Sequence, residues 1–144
     1  MYTVKDILEK KGSDVITVDP DFTVYEALKK MAGHNIGAVV VVENDEIKGI
    51  FSERDYARKI ILMGKTSKDS KVGDLMTDRT FVVKLSTTIN DCMKLMTDHR
   101  VRHLPVVEEG KLAGVISIGD VVNKTIEDQN NTISQLEDYI IGKR

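Results

Sequence analysis

Residues 49–55 read "GIFSERD", and residues 114–120 read "GVISIGD". Glycine, serine and aspartate keep their places, and two apolar residues follow the glycine each time. Working outward, residues 23–55 align with 88–120 at a constant offset of sixty-five without a gap. Identities include Thr23/Thr88, Met31/Met96, His34/His99, Val41/Val106 and Glu43/Glu108, and most other pairs are conservative, such as Val24/Ile89 and Ile36/Val101. Upstream, "VKDIL" (4–8) matches "VGDLM" (72–76) once the offset grows by three, the extra residues falling in a charged stretch that tolerates insertion. An ungapped internal match of this length marks a duplicated unit.

Each copy has a legible order. "VITV" (15–18) is a short β-branched run that ends at Asp19-Pro20, a strand running into a turn. Thr23 with Glu26 three residues on forms a capping box, and Val24, Ala27, Leu28 and Met31 make one apolar helical face that Gly33 should end. "GAVVVVE" is too short for a helix and reads as a strand buried on both faces; "ENDE" supplies a hairpin turn and "IKGIFS" the return strand. From Asp55 the pattern goes back to helix. The second copy repeats this with "FVV", "TINDCMKLM", "HLPVVE", "EGK", "LAGVIS" and "VVNKTI". The expected fold is therefore α/β (α+β): two βαββα repeats, 1–65 and 66–127, packed with pseudo-twofold symmetry because one alone buries too little to be stable. A helical extension follows over 128–144. In it Ile126, Ile133 and Ile140 fall seven apart with Leu136 between, a seam that suits either a partner helix or the chain's own domain.

Composition narrows the function. A net charge of −2, 5% aromatic residues and no tryptophan argue against a nucleic-acid surface. The longest apolar run, "AVVVV" (38–42), is far short of a membrane span, and the charged N-terminus has no signal core. The single cysteine, Cys92, excludes an intrachain disulfide and suits a reducing compartment, so a cytoplasmic location is expected. Cys92 aligns with Ala27 and reads as a small core residue. His99 and His103 have a zinc-like spacing but lack a third ligand nearby. There is no P-loop, no G-x-S-x-G and no G-x-G-x-x-G, and the two repeats leave no room for a catalytic domain, so no enzyme activity is expected.

Tandem βαββα units ending in G-x-x-S-x-x-D, the second reading "RHLPVVEEGKLAGVISIGDVV", resemble a cystathionine β-synthase (CBS) domain pair, or Bateman module, of the stand-alone type. The resemblance covers residues 3 to 127. It implies a regulatory sensor that binds an adenosyl ligand (AMP, ADP, ATP, NADH or S-adenosylmethionine) in clefts between the repeats, without a catalytic cofactor, and that forms a homodimer and signals to a target protein of unknown identity. It also implies that Asp55 and Asp120 hold the ribose. The chemistry agrees: one carboxylate can accept both hydroxyls of a ribose diol, and Ser52 and Ser117 lie three residues earlier. Both aspartates also precede a helix, where each would serve as an N-cap.

For the phosphate, the second repeat offers Arg102 and His103, whereas the aligned Gly37 and Ala38 offer nothing. Arg54 is a further candidate from across the pseudo-dyad; Gly119 takes its place in the second repeat. By resemblance the adenine lies on Ile16, Thr17, Ile36 and Ala38 in one site and on Val82, Val83 and Val101 in the other. The competing expectation is an interaction module whose clefts hold no nucleotide.

Overall fold

The computed structural model describes residues 1–78 and 80–141. The elements, in chain order, are α1 (Val4–Lys11), β1 (Thr17–Val18), α2 (Val24–His34), β2 (Ala38–Glu43), β3 (Glu46–Ser52), α3 (Glu53–Asp55), α4 (Val72–Leu75), α5 (Ile89–His99), β4 (His103–Glu108), β5 (Lys111–Ser117) and α6 (Ile118–Ile140). A π-helical segment, Tyr56–Ile61, continues α3. They form two compact units. The first-repeat unit is Asp14–Phe81; the second-repeat unit joins Met1–Ser13 to Val82–Arg144. The units thus cut the chain differently from the repeats counted along it, because α1 belongs with the second repeat's hairpin.

In the first-repeat unit β1 runs parallel to β2, and β2 antiparallel to β3. Val39, Val40 and Val41 are at most 2% exposed, so β2 is covered on both faces as its unbroken apolar run requires. Val24, Ala27 and Met31 of α2 pack with Phe51, Ile60, Val72 and Leu75 into one core. The Thr23–Glu26 capping box forms, with Glu26 N–H donating to Thr23 Oγ1 at 3.1 Å and Thr23 N–H to Glu26 Oε1 at 3.2 Å. The helix runs one residue past Gly33 and ends on Asn35, which takes the left-handed conformation at φ 53°. Asparagine tolerates that region, so no glycine is needed.

In the second-repeat unit the same hairpin recurs as β4–β5, with matching register shifts at Val41/Val42 and Val106/Val107. Both hairpins turn on two consecutive positive-φ residues, Asn44-Asp45 and Glu109-Gly110, the tight turn whose twist matches the strands. The expected first strand of this repeat is reduced to one parallel bridge, Val83↔Val106. The reason is Pro105. It stands where the first repeat has Val40, whose N–H donates to Ile16 O at 3.4 Å, and proline has no N–H to give. The bonds left are Val83 N–H to Pro105 O (3.0 Å) and Val107 N–H to Val83 O (2.8 Å).

The repeated glycines have a packing reason. A Cβ on Gly114 would fall 2.8 Å from Leu8 Cδ1 of α1; on Gly49 it would fall 2.5 Å from Thr77 O and 2.9 Å from Met76 Sδ. Leu8 and Met76 are the aligned positions of "VKDIL" and "VGDLM". In each unit that segment lies flat on the return strand, and only a residue without a side chain lets it approach.

Candidate functional site

The last β residue of each hairpin is the serine of the repeated motif, and it caps the helix that follows. Helices begin at Glu53 and Ile118, two residues before the aspartates, so Ser52 and Ser117 are the N-caps and Asp55 and Asp120 stand three positions in. This corrects the expectation that the aspartates themselves cap. Ser-x-x-Asp is a capping box written twice: Ser52 N–H donates to Asp55 Oδ2 at 2.9 Å, and Ser117 N–H to Asp120 Oδ2 at 2.8 Å. The return bonds, Asp55 N–H to Ser52 Oγ (3.3 Å) and Asp120 N–H to Ser117 Oγ (3.2 Å), complete both.

Beyond the box the two carboxylates differ. Asp55 is buried, and both its oxygens are engaged. Oδ2 also accepts from Ser52 Oγ at 3.1 Å, and Oδ1 accepts from Thr77 Oγ1 at 3.0 Å and pairs with Lys59 Nζ at 3.2 Å. Asp120 keeps 22% of its side chain exposed, and its Oδ2 takes Lys11 Nζ at 2.7 Å. Lys11 Nζ also donates to Val115 O at 2.9 Å. Among the described residues nothing hydrogen-bonds to Asp120 Oδ1.

The surroundings differ as well. His103 lies directly opposite Ser117 in the β4–β5 ladder, and Ile118 N–H donates to Arg102 O at 2.8 Å. Arg102, His103, Ser117 and Asp120 therefore meet at one end of one hairpin, with Lys11 delivered there by α1. Burial pushes the Asp120 carboxyl upward, but the Lys11 ammonium and the Ser117 amide and hydroxyl outweigh it and hold the group below the usual carboxylate range. Burial, then the positive charge of Lys11, hold the His103 imidazole below its ordinary 6.5; Asp120 opposes this and Arg102 adds to it. The ring is neutral at pH 7, one nitrogen a donor and the other an acceptor.

At the equivalent end of the first-repeat hairpin, Ala38 pairs with Ser52, and Gly37 O accepts from Glu53 N–H at 3.0 Å. Arg54 is on α3 of this unit, one residue before Asp55, and Gly119 is exposed on α6 of the other. Of the apolar candidates, Ile16, Thr17, Ile36, Ala38 and Val101 are partly exposed. Val82 is 49% exposed, but Val83 is 4% exposed. The Val83 side chain therefore packs in the core, and of the three residues expected to floor the second site Val82 and Val101 are the ones that reach the surface. A cleft of about 430 Å³ in the first-repeat unit, lined by Lys65, Thr66, Asp69, Ser70 and Lys71 among others, includes none of the expected site residues. Among the described residues no group of three or more His, Cys, Asp or Glu side chains is placed to hold a metal, and no helix is long and apolar enough to cross a membrane.

Lys11, Lys59 and Thr77 were not legible as partners of the aspartates. Two signals pointed to them: the i,i+4 spacing of Asp55 and Lys59 on a helix, and the shifted "VKDIL"/"VGDLM" match, which marks α1 as a repeated part with a fixed seat.

The CBS domain model matches residues 3–62 and 72–127. The mitochondrial CBS domain-containing protein CBSX3 of Arabidopsis thaliana is 40% identical over 149 residues, covering 97% of this chain and 72% of that protein. Among solved structures, a putative signal-transduction protein with CBS domains from Burkholderia ambifaria is 48% identical at a TM-score of 0.84, covering 88% of this chain and 96% of that one. A hexameric CBS-CP12 protein from bloom-forming cyanobacteria is 25% identical at a TM-score of 0.76, covering 83% of this chain and 66% of that one. With two copies of the repeat, each ending in the capped Gly-x-x-Ser-x-x-Asp strand, the chain belongs to the CBS domain family.

Proposed function

We propose that the chain is a non-catalytic, cytoplasmic regulatory module that self-associates, and that its second-repeat unit binds an adenine nucleotide. Asp120 and Ser117 take the ribose, Arg102, Lys11 and His103 take the phosphate, and Val82 and Val101 face the base. The observation that carries this reading is the hairpin end where Lys11 and His103 stand beside Asp120, whose Oδ1 takes no hydrogen bond among the described residues, with Arg102 at the entry to the same strand. Hydrogen bonds to a charged acceptor are worth roughly 1.5–3 kcal/mol each, enough to decide binding at an open site. A nucleotide phosphate also competes with Asp120 for the Lys11 ammonium, which links ligand binding to the position of α1. The buried lone Cys92 suits a reducing compartment.

The first-repeat unit takes a structural role in this reading, since Asp55 is already fully engaged and no basic residue stands at positions 37 and 38. A second reading, an interaction module without nucleotide, draws support from the same chemistry: packing explains both glycines, and capping explains both Ser–Asp pairs. Thermal shift against AMP, ADP, ATP, NADH and S-adenosylmethionine separates the two. A ligand at a hundred times its Kd stabilises by about 2.7 kcal/mol. No shift with any of the five favours the interaction module.

A further inference from the structure

The two oxygens of Asp120 are unequally occupied. Oδ2 accepts from Ser117 N–H at 2.8 Å and from Lys11 Nζ at 2.7 Å, which uses both acceptor positions of that oxygen. Oδ1 takes no hydrogen bond among the described residues. A vicinal diol meets a carboxylate best with one hydroxyl on each oxygen, so while Lys11 stays in place a ribose finds half of its seat taken. The lysine is well held: its ammonium also donates to Val115 O at 2.9 Å. Its helix is anchored ahead of it by Val4 N–H to Thr87 O (2.9 Å), Lys5 N–H to Leu85 O (3.0 Å) and Leu8 packed over Gly114. A neutral hydroxyl competes poorly with an ammonium for a carboxylate, because the charge-assisted bond is about twice as strong. A phosphate competes well, since it offers the ammonium another anion. The Lys11 side chain is 42% exposed and carries its charge on a flexible stem, so the ammonium can swing to a ligand while α1 keeps its seat.

We infer that Lys11 makes the second-repeat site selective for a phosphorylated nucleoside over the bare nucleoside. It holds Asp120 Oδ2 shut until a 5′-phosphate draws its ammonium away and frees that oxygen for the second ribose hydroxyl. This rests on the nucleotide reading above and adds the residue that enforces the phosphate. A lysine that served only to fix α1 would matter equally for both ligands. Asp55 has no counterpart of the exchange. Its Oδ2 is held by the Ser52 amide and hydroxyl, and its Oδ1 by Thr77 as well as Lys59, so the departure of one ammonium frees neither oxygen.

Titration of adenosine and of AMP into the full chain, followed by NMR chemical shifts so that weak binding is read, tests it. Lys11→Met removes the charge and keeps a long side chain that suits a helix. It should weaken AMP by about 10-fold and tighten adenosine by about 5-fold, opposite signs that a loss of folding cannot produce. A second measurement needs no variant. In the wild type, loss of the 2′-hydroxyl should weaken AMP by about 10-fold but adenosine by less than about 2-fold, because either remaining hydroxyl can use the open Oδ1. In Lys11→Met the nucleoside should become as sensitive to that loss as the nucleotide. Affinities for AMP and adenosine that move together in Lys11→Met overturn the inference and leave nucleotide binding standing. So does wild-type adenosine that is as sensitive as AMP to loss of the 2′-hydroxyl. AMP that fails to bind the wild-type chain overturns both.

Discussion

The two hairpin ends of this molecule start from the same seven-residue pattern and finish with different chemistry. At Ser52–Asp55 the carboxylate is buried, doubly engaged and anchored by Thr77 and Lys59, with glycine and alanine across the ladder. At Ser117–Asp120 the carboxylate is partly open, held on one oxygen by Lys11 and the Ser117 amide, with His103 across the ladder. Duplication supplied the scaffold twice, and the residues outside the pattern decide what each copy can do. A repeated motif is thus evidence of a repeated structural task; where its copies differ in neighbours is the better guide to binding.

The contrast is sharpest in stability. Asp55→Ala removes a buried carboxylate that accepts from Thr77 and pairs with the partly exposed Lys59, as well as breaking the capping box, and should cost about 2 kcal/mol in urea denaturation. Asp120→Ala, at a partly exposed site, should cost about 1 kcal/mol. Equal losses would mean that the two carboxylates carry the same structural load.

The glycines should separate in the same direction. Gly49→Ala drives a Cβ against the Thr77 carbonyl, which is backbone tied to Ile50 by two hydrogen bonds of 2.9 and 3.0 Å, and should cost about 2–3 kcal/mol. Gly114→Ala meets only the end of the Leu8 side chain, which can turn aside, and should cost about 1 kcal/mol. Denaturation midpoints of the two variants at matched m-values check the order.

A smaller effect is expected from acid. The folded-state pKa of His103 is depressed, so the unfolded chain binds its proton first and stability falls as pH drops below about 6.5. His103→Gln should therefore flatten the pH dependence of the melting temperature on the acid side of about pH 6.5. The depressed carboxyl of Asp120 contributes above its unfolded value and is lost only in stronger acid, so Asp120→Asn should act on the limb below about pH 4. Identical acid limbs for wild type and both variants would remove the electrostatic distinction between the hairpin ends.

Much of this was legible in the sequence, and the exceptions share a cause. The duplication, the Thr23–Glu26 box, the doubly buried β2 and both tight hairpin turns follow from local periodicity and local side-chain chemistry, which one stretch of chain is enough to display. The shortened first strand of the second repeat was also written there, in Pro105, but its meaning depends on a non-local partner, Val83, that needs the missing N–H. The seat of α1 beside β5 is non-local too, and with it went Lys11, the basic residue closest to Asp120. The motif serine and aspartate were found in the right places, while their first duty, capping, is shared between the two residues rather than resting on the aspartate.

Isothermal titration of AMP and of NADH into the wild-type chain, Asp120→Ala and Asp55→Asn tests the difference between the two hairpin ends most directly. Binding of one nucleotide per chain, lost in Asp120→Ala and kept in Asp55→Asn, is the predicted result. Two equivalent sites, or binding that survives Asp120→Ala, would contradict it.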